Sequence, residues 1–118
     1  MIKAFLADTV CDNIQELCAL LEKEHGMVPD IWQNSRRYHT FLENPQNKIV
    51  FIRIDDPSIP GLMLTQSAAA HNANTHIVWM AKSGAYAVDA FRYGAEAYML
   101  LPAAKESLRD IMDSLVHK

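Results

Sequence analysis

The sequence predicts an α/β domain built on a parallel sheet covered by helices on both faces. Three observations predict it. Short apolar segments alternate with amphipathic ones along all 118 residues, with no repeat, linker or low-complexity tract between them. The segments 47–54 and 76–81 are apolar on both faces, as central parallel strands are. The segment 27–33 contains Pro29, which removes a ladder donor and assigns that strand to a sheet edge.

"IKAFLA" (2–7) reads as the first strand, followed by Asp8, Thr9 and Asp12 as candidate helix caps. Ile14, Leu17, Cys18 and Leu21 then recur at helical spacing until Gly26 stops the helix. "MVPDIWQ" (27–33) is the weak edge strand, and "SRRYHTFLEN" (35–44) a short second helix. "NKIVFIRI" (47–54) is interrupted only by Arg53, and Pro60 with Gly61 opens a helix reaching about His71. "HIVWMA" (76–81) is the fourth strand, with Trp79 expected near its carboxyl end. "GAYAVDAFRYGA" (84–95) reads as a helix closed by Gly94, "EAYMLL" (96–101) as the fifth strand. Beyond Pro102, Leu108, Ile111, Met112 and Leu115 mark the apolar stripe of a last helix. Right-handed crossovers leave few ways to join five such pairs, and the flavodoxin-like order 2-1-3-4-5 fits the edge strand.

Composition narrows the function. The whole chain, 1–118, reads as a single domain large enough to bury a core without staples. Fourteen acids against eleven bases give a net charge of −3, so no basic surface calls for nucleic acid, and any DNA contact would fall to another domain. No apolar run approaches a membrane span, and "MIKAFLAD" is too short for a signal peptide. Cys11 and Cys18 lie seven apart on one helix, roughly 10 Å, too far for a disulfide. Small thiols in a reducing, cytoplasmic setting are the expectation. His25, His39, His71, His76 and His117 are scattered with no metal-binding spacing, no Gly-rich phosphate loop follows the first strand, and Ser58 and Ser83 lack a nucleophile-elbow frame. No metal, cofactor or enzymatic activity is expected.

In a doubly wound sheet ligands gather beyond the carboxyl ends of strands one and three. Asp8 and Thr9 stand on one side of that crevice, Arg53 and "DDPSIPG" (55–61) on the other. The stretch "IVWMAKSGAYAVDAFRYGAEAYMLLP" (77–102) and the turn Pro57-x-x-x-Gly61 resemble the receiver domain of two-component response regulators, in particular LytR/AlgR-type receivers. The resemblance spans nearly the whole chain. It implies an acidic pair after strand one, a phosphoacceptor aspartate ending strand three, a hydroxyl ending strand four and a lysine before a proline after strand five. Here those positions fall on Asp8 and Thr9, Arg53, Ala81 and Leu101. It also implies a cis bond before Pro102, and in Tyr98 an aromatic that shifts between rotamers, although a tyrosine at the core edge needs no such role.

Four of the five positions have lost their chemistry. Magnesium needs several hard oxygen ligands, and a permanently protonated guanidinium beside one carboxylate repels it. Arg53 either pairs with Asp8, with Asp55 or Asp56 also in reach, or turns its head out to solvent. Asp55 and Asp56 read as turn formers before a proline or as a displaced phosphoacceptor. The expectation is a pseudo-receiver, the regulatory domain of a transcriptional response regulator that works through protein contacts without phosphorylation. The rivals are a receiver phosphorylated on Asp55 or Asp56, and a small-ligand sensor using the crevice. The expected contact face is the fourth helix, fifth strand and fifth helix, carrying Arg92, Tyr93, Glu96, Tyr98, Lys105, Arg109, Asp110 and Asp113. Its mixed charge suits a homodimer or a protein partner, and equally an ordinary solvated face.

Overall fold

The computed structural model describes residues 2–71 and 74–116; His117 lies outside them. Strand β1 (Lys3–Ala7) leads into helix α1 (Cys11–His25), and β2 (Asp30–Ile31) into α2 (Ser35–Leu42). Next come β3 (Lys48–Arg53) and α3 (Gly61–Ala70), β4 (Thr75–Ala81) and α4 (Ala87–Arg92), β5 (Ala97–Leu100) and α5 (Lys105–Leu115). All strand pairs are parallel and the order is β2-β1-β3-β4-β5. The flavodoxin-like expectation holds, with the short strand that follows Pro29 at the edge.

Strand alternation divides the core in two. Phe5, Val50, Ile52, Ile77 and Trp79 point to the face covered by Tyr38 and Phe41 of α2, Leu64 and Ala68 of α3 and Ala90 of α4. Ala4, Leu6, Ile49, Phe51, Val78 and Met80 point the other way, against Leu17 and Leu21 of α1 and Leu108 and Met112 of α5. Neighbouring residues of β1, β3 and β4 are thus buried on opposite sides, which is why these strands read as continuous apolar runs.

Three local expectations need correction. The N-cap of α1 is Val10, which makes no side-chain cap bond. Asp8 instead turns its Oδ1 to the N–H groups of Thr9 and Val10, before the helix begins. The fourth helix is confined to Ala87–Arg92, because residues 84–87 form a turn in which the Ala87 N–H reaches the Gly84 carbonyl. The second strand keeps only Asp30 and Ile31, since Pro29 cannot donate. The helix stops are as read: Gly26 takes φ 64° after α1 and Gly94 φ 102° after α4, both in the left-handed region glycine favours.

Two buried hydrogen bonds brace one face of the sheet, one joining α2 to α3 and one joining β4 to α3. The Tyr38 hydroxyl of α2 donates to the Leu64 carbonyl of α3 at 2.8 Å, and its ring meets Phe5 edge-on. Burial pushes the Tyr38 phenol well above the usual tyrosine range. Trp79 lies beneath α3, where its Nε1–H donates to Thr65 Oγ1 at 2.9 Å; Thr65 in turn donates to the Gly61 carbonyl.

Thr65→Val keeps the shape but leaves the buried indole N–H without an acceptor. A loss of about 1–3 kcal/mol is expected in urea unfolding followed by tryptophan fluorescence. An unchanged midpoint would mean that the indole finds another partner.

Candidate functional site

Helices α1 and α5 cover one face of the sheet and α2, α3 and α4 the other, so the loops after β1 and β3 diverge and open a crevice at the carboxyl edge. Arg53, the last residue of β3, lies across its floor and is 4% exposed. Its Nη1 donates to both carboxylate oxygens of Asp8 at 3.3 Å, and its Nε to Asp55 Oδ1 at 2.5 Å. Asp8 is 2% exposed. The side chain is therefore not turned to solvent; one guanidinium bridges an acid from the end of β1 and an acid from the loop after β3.

The carboxylates are engaged on their other sides too. Asp8 Oδ1 accepts the N–H groups of Thr9 at 2.7 Å and Val10 at 3.0 Å. Asp55 Oδ2 accepts the Lys82 N–H at 2.9 Å, which brings in the end of β4. Asp56 takes no part in the Arg53 fork. It accepts the Ser58 N–H and hydroxyl on Oδ1 and the Thr9 hydroxyl on Oδ2, closing a second link between the two loops.

These bonds set the protonation states. Burial opposes the Arg53 charge, but the Asp55 hydrogen bond and the Asp8 and Asp55 charges outweigh it and push the guanidinium further up. Burial likewise opposes the Asp55 carboxylate; the Lys82 N–H and the Arg53 bond and charge more than reverse this and hold it below the usual range. Asp56 is held low chiefly by the Ser58 N–H and hydroxyl. All three groups stay charged at neutral pH.

The other two positions that the resemblance singles out, Ala81 and Leu101, carry apolar side chains. Ala81 is fully buried, and its carbonyl accepts the Leu101 N–H at 2.8 Å. Leu101 packs with the core beneath α1 and α5, and its bond to Pro102 is cis, as the resemblance implies. A divalent ion does not fit this donor set, because the space between Asp8 and Asp55 is taken by a fixed cation. Among the described residues no three His, Cys, Asp or Glu side chains are grouped to hold a metal, and no helix is long and apolar enough to cross a membrane.

The expected contact face is only partly gathered. Arg92 and Arg109 are exposed, while Lys105 reaches back to Glu24 of α1 at 3.4 Å. Tyr93 stacks on Trp79, and the Tyr98 hydroxyl donates to the Ser83 carbonyl at 2.6 Å, which turns its ring inward. Sequence reasoning missed Val88 and Phe91 on α4 and Leu100 on β5, which are 80%, 64% and 54% exposed. The signal was available: Val88 and Phe91 are three apart, on the helix face away from buried Ala90. It also missed the Asp55–Lys82 contact, which involves a backbone N–H and leaves no mark in residue type.

No family model and no curated protein matches this sequence. Solved structures do. A two-component response regulator from Clostridium difficile superposes with a TM-score of 0.80 at 21% identity, over 100% of this chain and 98% of that one. The receiver domain of sensor histidine kinase PA1611 from Pseudomonas aeruginosa, which holds magnesium in its active-site cleft, gives 0.79 at 14% identity over 98% of each chain. A putative pilus assembly protein, cpaE, from Burkholderia thailandensis gives 0.78 at 12% over 100% of each. At these identities the likeness establishes the receiver fold, and the chemistry rests on the residues themselves.

Removing one partner of a buried ion pair costs about 3–5 kcal/mol, because the other charge is stranded. Asp8→Asn and Arg53→Met are each expected to destabilise on that scale, with the double variant less damaged than the sum by about 1–3 kcal/mol. Strict additivity in urea unfolding would show that the pair contributes no coupling. A separate expectation concerns acid. Asp55 and Asp56 have folded pKa values below the ordinary 3.8, so the unfolded chain binds more protons there. Their contribution is complete above that value and is lost as pH falls through it toward the lowered folded values. Asp55→Asn therefore flattens the fall of the urea midpoint between about pH 5 and 3; a slope equal to that of the parent chain would refute it.

Proposed function

We propose that this domain is a pseudo-receiver: a receiver fold that acts as a phosphorylation-independent protein-interaction module, within a LytR/AlgR-like transcriptional regulator. The observation that carries the reading is the buried Arg53 fork. Transfer of a phosphoryl group to a carboxylate requires a free nucleophilic oxygen, a divalent ion to neutralise charge, and a hydroxyl and a cation to receive the product. At this crevice the acceptor position is a guanidinium, the ion's space is filled by it, and Ala81 and Leu101 offer neither a hydroxyl nor a charge.

Phosphorylation of Asp55 or Asp56 faces a further obstacle. Both oxygens of each carboxylate already accept hydrogen bonds. The bonds that hold these acids ionised also withdraw the electron density a nucleophile needs. Contact through α4, β5 and α5 is supported by the exposure on these elements of the apolar Val88, Phe91 and Leu100 as well as the charged Arg92 and Arg109. Such apolar side chains amid polar ones suit a protein partner better than a purely charged face does.

Incubation with acetyl phosphate and magnesium, followed by intact mass and sedimentation, tests the reading. No phosphoryl adduct is expected, and any self-association is the same with and without the donor. A stoichiometric adduct that disappears in Asp55→Asn or Asp56→Asn would replace this reading with a receiver using a displaced acceptor.

A further inference from the structure

Between α3 and α4 the surface opens into a cavity of about 210 Å³, lined by Ile54, Leu62, Trp79, Tyr86, Asp89 and Tyr93. It shares no lining residue with the Asp8–Arg53–Asp55 cluster. Three of its six lining residues are aromatic in a chain only 8% aromatic, so π-surface is concentrated here. The indole of Trp79 is locked in place by its bond to Thr65, and Tyr93 stacks on it with ring centres 6.1 Å apart and planes 18° from parallel. Tyr86 and Tyr93 are each 39% exposed and form the accessible walls.

The chemistry of the lining selects its ligand. Aromatic faces carry negative potential and attract cations. Asp89 supplies a carboxylate, and among the described residues no lysine, arginine or histidine lines the cavity. A competing cation, Arg92, meets Asp89 only at 3.7 Å and is 70% exposed, a loose pair that solvent screens. The Trp79 Nε1 donor is engaged with Thr65, and Ile54 and Leu62 complete an apolar lining. A group rich in N–H donors would lose hydrogen bonds to water on entering. A methylated ammonium carries the charge without those donors. The volume lies below the roughly 300 Å³ at which drug-sized pockets begin, which suits one small head group.

We infer that this cavity binds a quaternary or methylated ammonium group, held by the exposed rings of Tyr86 and Tyr93 with Asp89 as counter-charge. The site is independent of phosphorylation at the crevice. It also differs from a sensor built on the crevice itself, whose floor Arg53 fills.

The test is a titration of choline into ¹⁵N-labelled protein at matched ionic strength, following the Trp79 indole N–H signal with Trp32 as internal control. The neutral isostere 3,3-dimethylbutan-1-ol is run in parallel. A saturable shift of Trp79 with choline alone is expected, and Tyr86→Leu, Tyr93→Leu and Asp89→Asn should each weaken it about tenfold while the protein stays folded. A trimethyllysine peptide separates the sources: tighter binding than choline points to a protein-borne group, weaker binding to a free small molecule. An equal response to the alcohol, an effect untouched by the three variants, or no saturable shift from choline or the peptide at tens of millimolar would each overturn the inference.

Discussion

A single guanidinium fixes the carboxyl edge of this sheet. Arg53 ends β3, grips Asp8 at the end of β1 and Asp55 in the following loop, and through Asp55 reaches the backbone of Lys82 after β4. Three strand ends whose loops diverge to opposite faces are thereby held by one fixed charge. An arginine suits this role better than a lysine, since its planar head presents several donors at set angles and stays protonated. The arrangement is not a cheap source of stability. Two buried charges lose hydration, and an apolar packing of similar volume would often serve as well. What the fork supplies is definition of the loops.

Much of the fold was legible because its signals are local. The two-sided apolar runs at 49–52 and 77–80 exist because each strand is covered on both faces. Gly26 and Gly94 mark helix ends because the backbone there needs positive φ. The fourth helix was read too long because alanine and tyrosine at 85 and 86 favour helix as readily as the turn that tertiary contacts impose. The caps assigned to Asp8, Thr9 and Asp12 failed for a similar reason: Asp8 has a stronger partner in Arg53, forty-five residues away.

The site was legible as a set of substitutions and less so as a geometry. Pairing of Arg53 with Asp8 is one of two readings, resting on opposite charges at the ends of adjacent central strands, and the structure shows that one rather than a head turned to solvent. The choice of Asp55 over Asp56 has no such basis, because it depends on which loop acid faces the crevice and which closes on Ser58. Likewise the sequence places both Tyr93 and Tyr98 on the contact face, Tyr98 also as a tyrosine at the core edge. In the structure the Tyr93 ring, just past the end of α4, stacks on Trp79, and the Tyr98 hydroxyl on β5 is tethered to the Ser83 carbonyl, contacts that depend on which groups the fold brings near each ring.

The permanence of the Arg53 charge has a consequence in time. A phosphorylated carboxylate is a clock, set by a kinase and reset by hydrolysis. A guanidinium bonded to two acids has no such cycle; it holds from the moment the chain folds until it unfolds. On the proposed reading, nothing at the crevice distinguishes an old molecule from a new one. The output then follows mass action, as the amount of domain present relative to its affinity for a partner. The variable a cell would adjust is how fast this protein is made and destroyed.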